Sequence, residues 1–239
     1  MMGTVRLPAR SRHIRLSPSP AMSAAPAITT RGLMSLEEYL RLEETSELRH
    51  EDDRGHVRAM AGGTPDHSLL KVAVVTVLRN ALEGRCLVFD SDMRVHVSEA
   101  KRSYPDAAVV CGEPEYPETN SLGNPTVVVE VLSPSTATND RMNPTNDRMK
   151  KMPEYLAMPS VRAVLLVHSE VSGVEVFSRD DEGTISFDSA SDRNAWVRIP
   201  PLDLTLSLAE LYRDTPDITE PREPSDAELL AQLRGDASE

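Results

Sequence analysis

The chain has 239 residues, 39% of them apolar, 27% charged and 4% aromatic, and it carries a net charge of −12. This is the composition of a globular protein with an aliphatic core; it excludes a generally basic, DNA-coating protein, and the longest strongly apolar run, Val72 to Leu78, is too short to cross a bilayer. A domain of this size buries about 70% of its unfolded surface and needs no staple, so Cys86 and Cys111, both in apolar segments, read as buried thiols in a reducing, cytoplasmic compartment.

Residues 1–33 hold five arginines and no acid, leaving −17 on the rest of the chain. The stretch has no helical period and no continuous apolar run of a secretory signal. It reads as a disordered basic arm; an internal start at Met22 or Met34 and an organellar targeting peptide are the other readings. Ser35 with Glu38 forms a capping-box pattern that opens a helix through about Glu44. Strand character follows around Gly55 to Met60. Thr64-Pro65-Asp66 gives a cap, a first-turn proline and an acid at the positive end of a second helix, which Gly84 ends. Leu87 to Val97 reads as one half-buried strand.

Ala107 to Cys111 and Thr126 to Leu132 are continuous apolar runs, the mark of strands covered on both faces. A helix is expected over about Asn146 to Met158, a third buried strand over Val161 to Val167, and a hairpin from Val174–Phe177 and Thr184–Phe187. Leu206 to Tyr212 reads as a short closing helix. Trp196 reads as a packing residue. The whole is α/β: one domain over 34–213 built on a mixed sheet with helices on both faces, followed by an acidic mobile tail over 214–239.

Two acids stand where acids are rare. Glu130 interrupts a β-branched run, and Asp106 opens the other apolar strand. If the strands are neighbours, the carboxylates share one spot. At about 4 Å and an effective dielectric near 20 they repel by roughly 4 kcal/mol. Protonation of one acid or a divalent cation between them offsets that, and oxygen-only ligands favour Mg²⁺ or Mn²⁺. The plainer alternative is that Glu130 faces solvent or pairs with an arginine, and that Asp106 is a turn residue after Pro105. His67, in the first turn of the second helix, reads as a surface or capping side chain, and His168 as an ordinary satisfied one.

The run Tyr104-Pro105-Asp106-Ala107-Ala108-Val109-Val110-Cys111, with Asn124-Pro125 and then Thr126 through Glu130-Val131-Leu132-Ser133-Pro134-Ser135-Thr136, resembles the Uma-type family of restriction endonucleases. This is a branch of the PD-(D/E)-x-K nuclease superfamily. Met34 to Leu40, Arg49-His50-Glu51, Gly55, Met60 to Gly63, His67, Asp147-Arg148, Lys151 and Tyr155 extend the resemblance over about Met34 to Tyr212. It implies a restriction-endonuclease-like mixed β-sheet core and a metal-dependent DNA endonuclease. Asp106, Glu130 and the carbonyl of Val131 would hold Mg²⁺ (or Mn²⁺). Lys151, on the following helix, replaces the lysine usually found two places after the glutamate, where Leu132 stands. Glu51, from the N-terminal helical region, would be an accessory carboxylate.

Three departures from the family pattern point to a second reading, a catalytically inactive nuclease-fold protein acting as an interaction or assembly module. The segment Asp52 to Arg58 is unusually polar, which suggests a frayed or edge strand. Thr138 to Met142 recurs as Thr145 to Met149. Pro153 follows Lys151 by two residues and threatens to displace it. Candidate phosphate contacts are Arg94, Lys101, Arg102, Arg141, Arg148 and Lys150. With −17 on the core, DNA binding is expected to be weak or aided by a partner or a homodimer, with no membrane involved.

Overall fold

The computed structural model describes residues 33–60, 63–132, 147–216 and 218, with the side chains of 147–150 excepted. The expected arm over 1–33 save Leu33, the seven-residue repeat up to residue 146 and the tail from 219 lie outside the described residues.

Helix α1 (Leu36–Thr45) opens on the expected capping box. The Glu38 N–H donates to Ser35 Oγ at 3.3 Å, and the Ser35 N–H donates to Glu38 Oε2 at 2.9 Å. Strands β1 (His50–Asp53) and β2 (His56–Ala59) form a hairpin. Its two-residue turn needs positive φ at both positions, and Arg54 (55°) and Gly55 (82°) supply it. A Cβ on Gly55 would stand 2.9 Å from the Met34 carbonyl oxygen, so glycine is required twice over. Helix α2 (Pro65–Leu82) is capped by Thr64, whose Oγ1 accepts from the His67 N–H at 3.2 Å. Glu83 and Gly84 end it in the left-handed region.

The segment read as one strand over Leu87 to Val97 is two: β3 (Leu87–Asp90) and β4 (Arg94–Ser98). Strand β4 returns as β5 (Lys101–Ser103), which runs on into β6 (Ala107–Val110), and β6 pairs back on β3. One long antiparallel ribbon is thus broken at Ser91–Met93 on one side and Tyr104–Asp106 on the other. Pro105 has no N–H to give the ladder, which fits a break at that point. Beyond the break the two halves join different sheets.

A short β7 (Ser121–Leu122) precedes β8 (Val127–Leu132). Helix α3 (Asp147–Ala157) leads to β9 (Ala163–His168), parallel to β8, as a crossover between parallel strands requires. Strands β10 (Val174–Arg179) and β11 (Ile185–Ala190) form the expected hairpin. Where one closing helix was expected, β12 (Trp196–Ile199), β13 (Leu204–Ser207) and the four-residue helix α4 (Leu208–Leu211) follow. Leu204 and Leu206 are buried and Thr205 is exposed, a period of two that makes this stretch a strand.

The strands form a six-stranded sheet, β11-β10-β9-β8-β6-β3, a five-stranded sheet, β2-β1-β5-β4-β7, and the β12-β13 pair. The six-stranded sheet is mixed and covered on both faces. Val127, Val129 and Val131 face α2 and the C-terminal elements; Val128 and Leu132 face Tyr155, Leu156 and Met158 at the end of α3. Two-sided cover is why these strands read as unbroken apolar runs. Glu130, between Val129 and Val131, points to the α3 side.

Four expectations are corrected. The polar strand β1 is no edge: it lies between β2 and β5, its Asp52 opposite Arg102. Trp196 is 63% exposed on β12 and does not pack in the core. The packed chain runs past residue 213, because Thr215 and Ile218 are buried and Arg193 donates to the Ile218 carbonyl at 2.9 Å. Cys86 and Cys111 are not free thiols but a disulfide, with Cα atoms 4.4 Å apart. The β3–β6 register pairs Leu87 with Val110, so the next positions outward face each other. A bond closing a loop of sequence separation 25 stabilises by about 3 kcal/mol through the unfolded state. Reduction, or Cys86→Ser with Cys111→Ser, is expected to lower the unfolding free energy by about that amount in a denaturant titration.

Candidate functional site

The site forms where the β6 and β8 ends meet α2, α3 and β1. Strands β6 and β8 are neighbours, and the register Ala107↔Val129 puts Asp106 opposite Glu130. Asp106 is held there by the backbone, since its Oδ2 accepts the Val131 N–H at 2.7 Å. That bond continues the ladder one step past Pro105 with a side chain.

Glu130 is approached from α3. Lys151 and Tyr155 stand four residues apart and share one helix face. The Tyr155 hydroxyl donates to Glu130 Oε1 at 2.8 Å, and Lys151 Nζ lies 3.7 Å from the same oxygen. Lys151 also donates to Glu51 Oε1 at 3.0 Å. Glu51 therefore belongs to the cluster, but it comes from β1 and not from a helix. The Tyr104 N–H points at the same Glu51 oxygen at 3.4 Å. The displacement expected from Pro153 does not occur: α3 runs through the proline, and Lys151, one turn from its start, reaches both acids.

Helix α2 closes the other side, which sequence reasoning missed. The His67 Nε2–H donates to the Val131 carbonyl at 2.9 Å and stands 3.7 Å from Asp106 Oδ2. Lys71, four residues on and on the same face, stands 3.7 Å from Asp106 Oδ1 and donates to Ser91 Oγ at 3.2 Å. His67 is no surface cap; its side chain is 14% exposed. Gly63 makes room for it, because a Cβ there would fall 2.5 Å from His67 Nδ1. The Gly63-Thr64-Pro65 sequence was the available signal: a cap that fixes the third helical residue over the end of a buried strand.

Of the expected phosphate contacts, two are already paired. Arg102 is buried against Glu118, and Lys101 is paired with Glu154. Arg94 is buried, and the side chains of Arg141, Arg148 and Lys150 lie outside the described residues.

The electrostatics follow from burial. The Glu130 carboxyl is pushed up to about 7, first by loss of water; Lys151 opposes, and the negative charges of Asp106 and Glu51 add to the rise. The His67 imidazole is raised, chiefly by the Asp106 carboxylate, against its own burial. Between pH 4.5 and about 7 the folded protein holds a proton on Glu130 that the unfolded chain releases. Stability of the metal-free protein should therefore fall across that window as pH rises, by about 3 kcal/mol from this group. Glu130→Gln should flatten the slope, read as the difference between two urea titration series in a chelator.

Three acids, two lysines and a histidine thus converge on one strand end. Among the described residues, no three His, Cys, Asp or Glu side chains are arranged to hold a metal ion by themselves. The oxygens that remain are still hard donors. Among the described residues Asp106 Oδ1 has only Lys71 at 3.7 Å, Glu130 Oε2 has no hydrogen bond, and the Val131 carbonyl keeps a second lone pair beside His67. Burial above all raises Glu130, and a cation would supply the stabilisation that its carboxylate loses with its water.

Residues 36–209 match a family model described as "Uma2: Putative restriction endonuclease". The chain is 32% identical over 184 residues to the uncharacterized protein slr1290 of Synechocystis, covering 75% of this chain and 92% of that protein. It is 27% identical over 156 residues to the uncharacterized protein sll1609 of the same organism, covering 64% and 84%. A crystal structure from Anabaena variabilis, titled a putative nuclease belonging to DUF820, superposes with a TM-score of 0.59 at 18% identity, covering 75% of this chain and 98% of the other.

Proposed function

Since the chain belongs to the Uma2 family, we propose that it is a metal-dependent endonuclease that hydrolyses phosphodiester bonds of DNA at the cluster around Asp106 and Glu130. The observation that carries this reading is the convergence itself. Two opposed carboxylates at the mouth of a buried sheet are flanked by Lys151 on one side and by His67 and Lys71 on the other.

Asp106, Glu130 and the Val131 carbonyl would hold Mg²⁺ or Mn²⁺. When bound, the ion supplies a lowered pKa for its water and charge neutralisation at the phosphoryl group. The rest is the work of the chain. Tyr155 fixes one oxygen of Glu130 and so aims the other. Lys151 balances Glu51 and Glu130 and can follow the charge that builds on the phosphoryl oxygens as the water attacks and the ester oxygen leaves. Glu51, tied to Lys151 and the Tyr104 N–H, is placed to orient that water. Lys71, 30% exposed and beside Asp106, is the cation an incoming phosphate meets first. His67 holds the Val131 carbonyl in line. Acidic surroundings make phosphate binding weak and steeply salt-dependent.

Supercoiled plasmid incubated with Mg²⁺ or Mn²⁺ tests the reading. Wild type should nick, and Asp106→Ala and Glu130→Ala should each lose more than ~100-fold, beyond the loss expected for an outer partner of a metal ligand. Equal nicking by wild type and both variants would assign the activity to a contaminant and remove the nuclease reading.

A further inference from the structure

A second buried charge lies outside this cluster. Arg94 opens β4 and is 4% exposed. Its Nη2 donates to the Thr119 carbonyl at 2.6 Å, its Nε reaches Ser121 Oγ at 3.4 Å, and its guanidinium carbon stands 5.5 Å from the centre of the Tyr39 ring. Among the described residues no carboxylate comes within 4 Å of it. The other buried arginine, Arg102, has Glu118. A buried guanidinium whose hydrogen bonds go to neutral partners alone depends for compensation on charges beyond that reach or on a ligand.

Arg94 lines a cavity of about 210 Å³ on the α1 side of the ribbon break, several times the ~30 Å³ share of one water. The cavity's buried acid is taken. Glu43 Oε1 accepts from the His50 N–H at 3.0 Å and pairs with His50 Nδ1 at 2.9 Å, and Glu43 Oε2 accepts from the Tyr104 hydroxyl. Arg49 stands exposed on the same lining, with no ion pair among the described residues. Arg94, Arg49 and Glu43 share this lining. Glu44 and Asp92, exposed on the lining, are solvated acceptors.

We infer that this cavity binds the phosphate of a small phosphomonoester between Arg94 and Arg49, with Glu44 and Asp92 accepting from hydroxyl or amino groups on the remainder of the ligand. Guanidinium groups match phosphate oxygens in geometry and charge. The site stands apart from the nuclease reading and needs no metal ion.

Calorimetric titration of the full chain at fixed ionic strength tests it, with inorganic phosphate, thymidine 5′-monophosphate and thymidine as probes. Saturable binding of phosphate, tighter binding of the monophosphate and none of thymidine are expected. Arg49→Ala should weaken both anions about tenfold or more, the loss of a charge-assisted contact, while its melting temperature and plasmid nicking stay as in wild type. Arg94→Gln should abolish binding; should it fail to fold, Arg49→Ala decides alone. No saturable binding of either anion, or wild-type affinity in Arg49→Ala, overturns the inference. Equal affinity for phosphate and the monophosphate supports the phosphate cradle and overturns the part given to Glu44 and Asp92. Thymidine binding as well as its monophosphate overturns the whole.

Discussion

Lys151→Ala is expected to slow plasmid nicking by about 10²–10³-fold, the usual effect of removing one preorganised donor from a charged transition state. The reason is visible in the ground state. Lys151 is 15% exposed and touches Glu51 and Glu130, and without it three carboxylates face one another with Tyr155, His67, Lys71 and the N–H groups of Val131 and Tyr104 as the donors left among the described residues. The Glu130 carboxyl, already pushed up to about 7, rises further and is then protonated at neutral pH. Lys151→Arg keeps the charge but brings a planar fork where a compact ammonium fits, so only part of the rate should return. Lys151→Ala with Glu51→Gln should be less than additive, because both changes act on one ion pair. Nicking by Lys151→Ala at nearly the wild-type rate, with a normal melting curve, would take the lysine out of the mechanism.

Arg102→Ala is expected to destabilise the fold by about 3–5 kcal/mol, the cost of leaving one partner of a buried pair behind, and so to lower the melting temperature by about 10 °C or more for a domain of this size. Arg102 is 1% exposed. It donates through Nε and Nη2 to Glu118 and through Nη1 to the Glu99 carbonyl at 2.6 Å. Burial pushes the Glu118 carboxyl up, but Arg102 and His96 together outweigh it and hold the group below its ordinary value. Without Arg102, Glu118 keeps, among the described residues, only His96 at 3.1 Å. Replacing both partners, Arg102→Met with Glu118→Leu, should recover part of the loss, since an apolar pair leaves no orphaned charge. Thermal melts of the three variants decide it; an Arg102→Ala melt within a degree or two of wild type would mean that Glu118 finds water.

The sheet core and the acid pair were legible in the residues because covered strands need apolar side chains on both faces, and Asp106 and Glu130 break that rule. The five-stranded sheet was not. His50-Glu51-Asp52-Asp53 and Lys101-Arg102-Ser103 carry the charge density of loops, and only the partners supplied from other strands make them strands. The disulfide and the Ser91–Met93 break are facts of register, which no local pattern carries. His67 was undervalued for the same reason: a histidine in a first helical turn looks like a surface residue until the end of β8 is known to lie beneath it. Trp196 misled in the other direction, because aromatic size alone does not bury a residue on an outer strand.

The C-terminal elements close what α2 begins. Leu70, Val74, Leu78 and Leu82 share one core with Leu208, Leu211 and Tyr212, and the Tyr212 hydroxyl, between the carbonyls of His168 and Gly173 at 2.8 and 2.7 Å, pins that end to the sheet. During synthesis, then, the early helix leaves the ribosome with its greasy side bare. Strands β3, β6 and β8 cover part of it, and the rest waits until the last turn of the domain is translated, on the order of ten seconds later at cellular elongation rates. A chain cut short between Tyr155 and Tyr212 would bear every residue of the acid–lysine cluster and no finished scaffold to keep them in place.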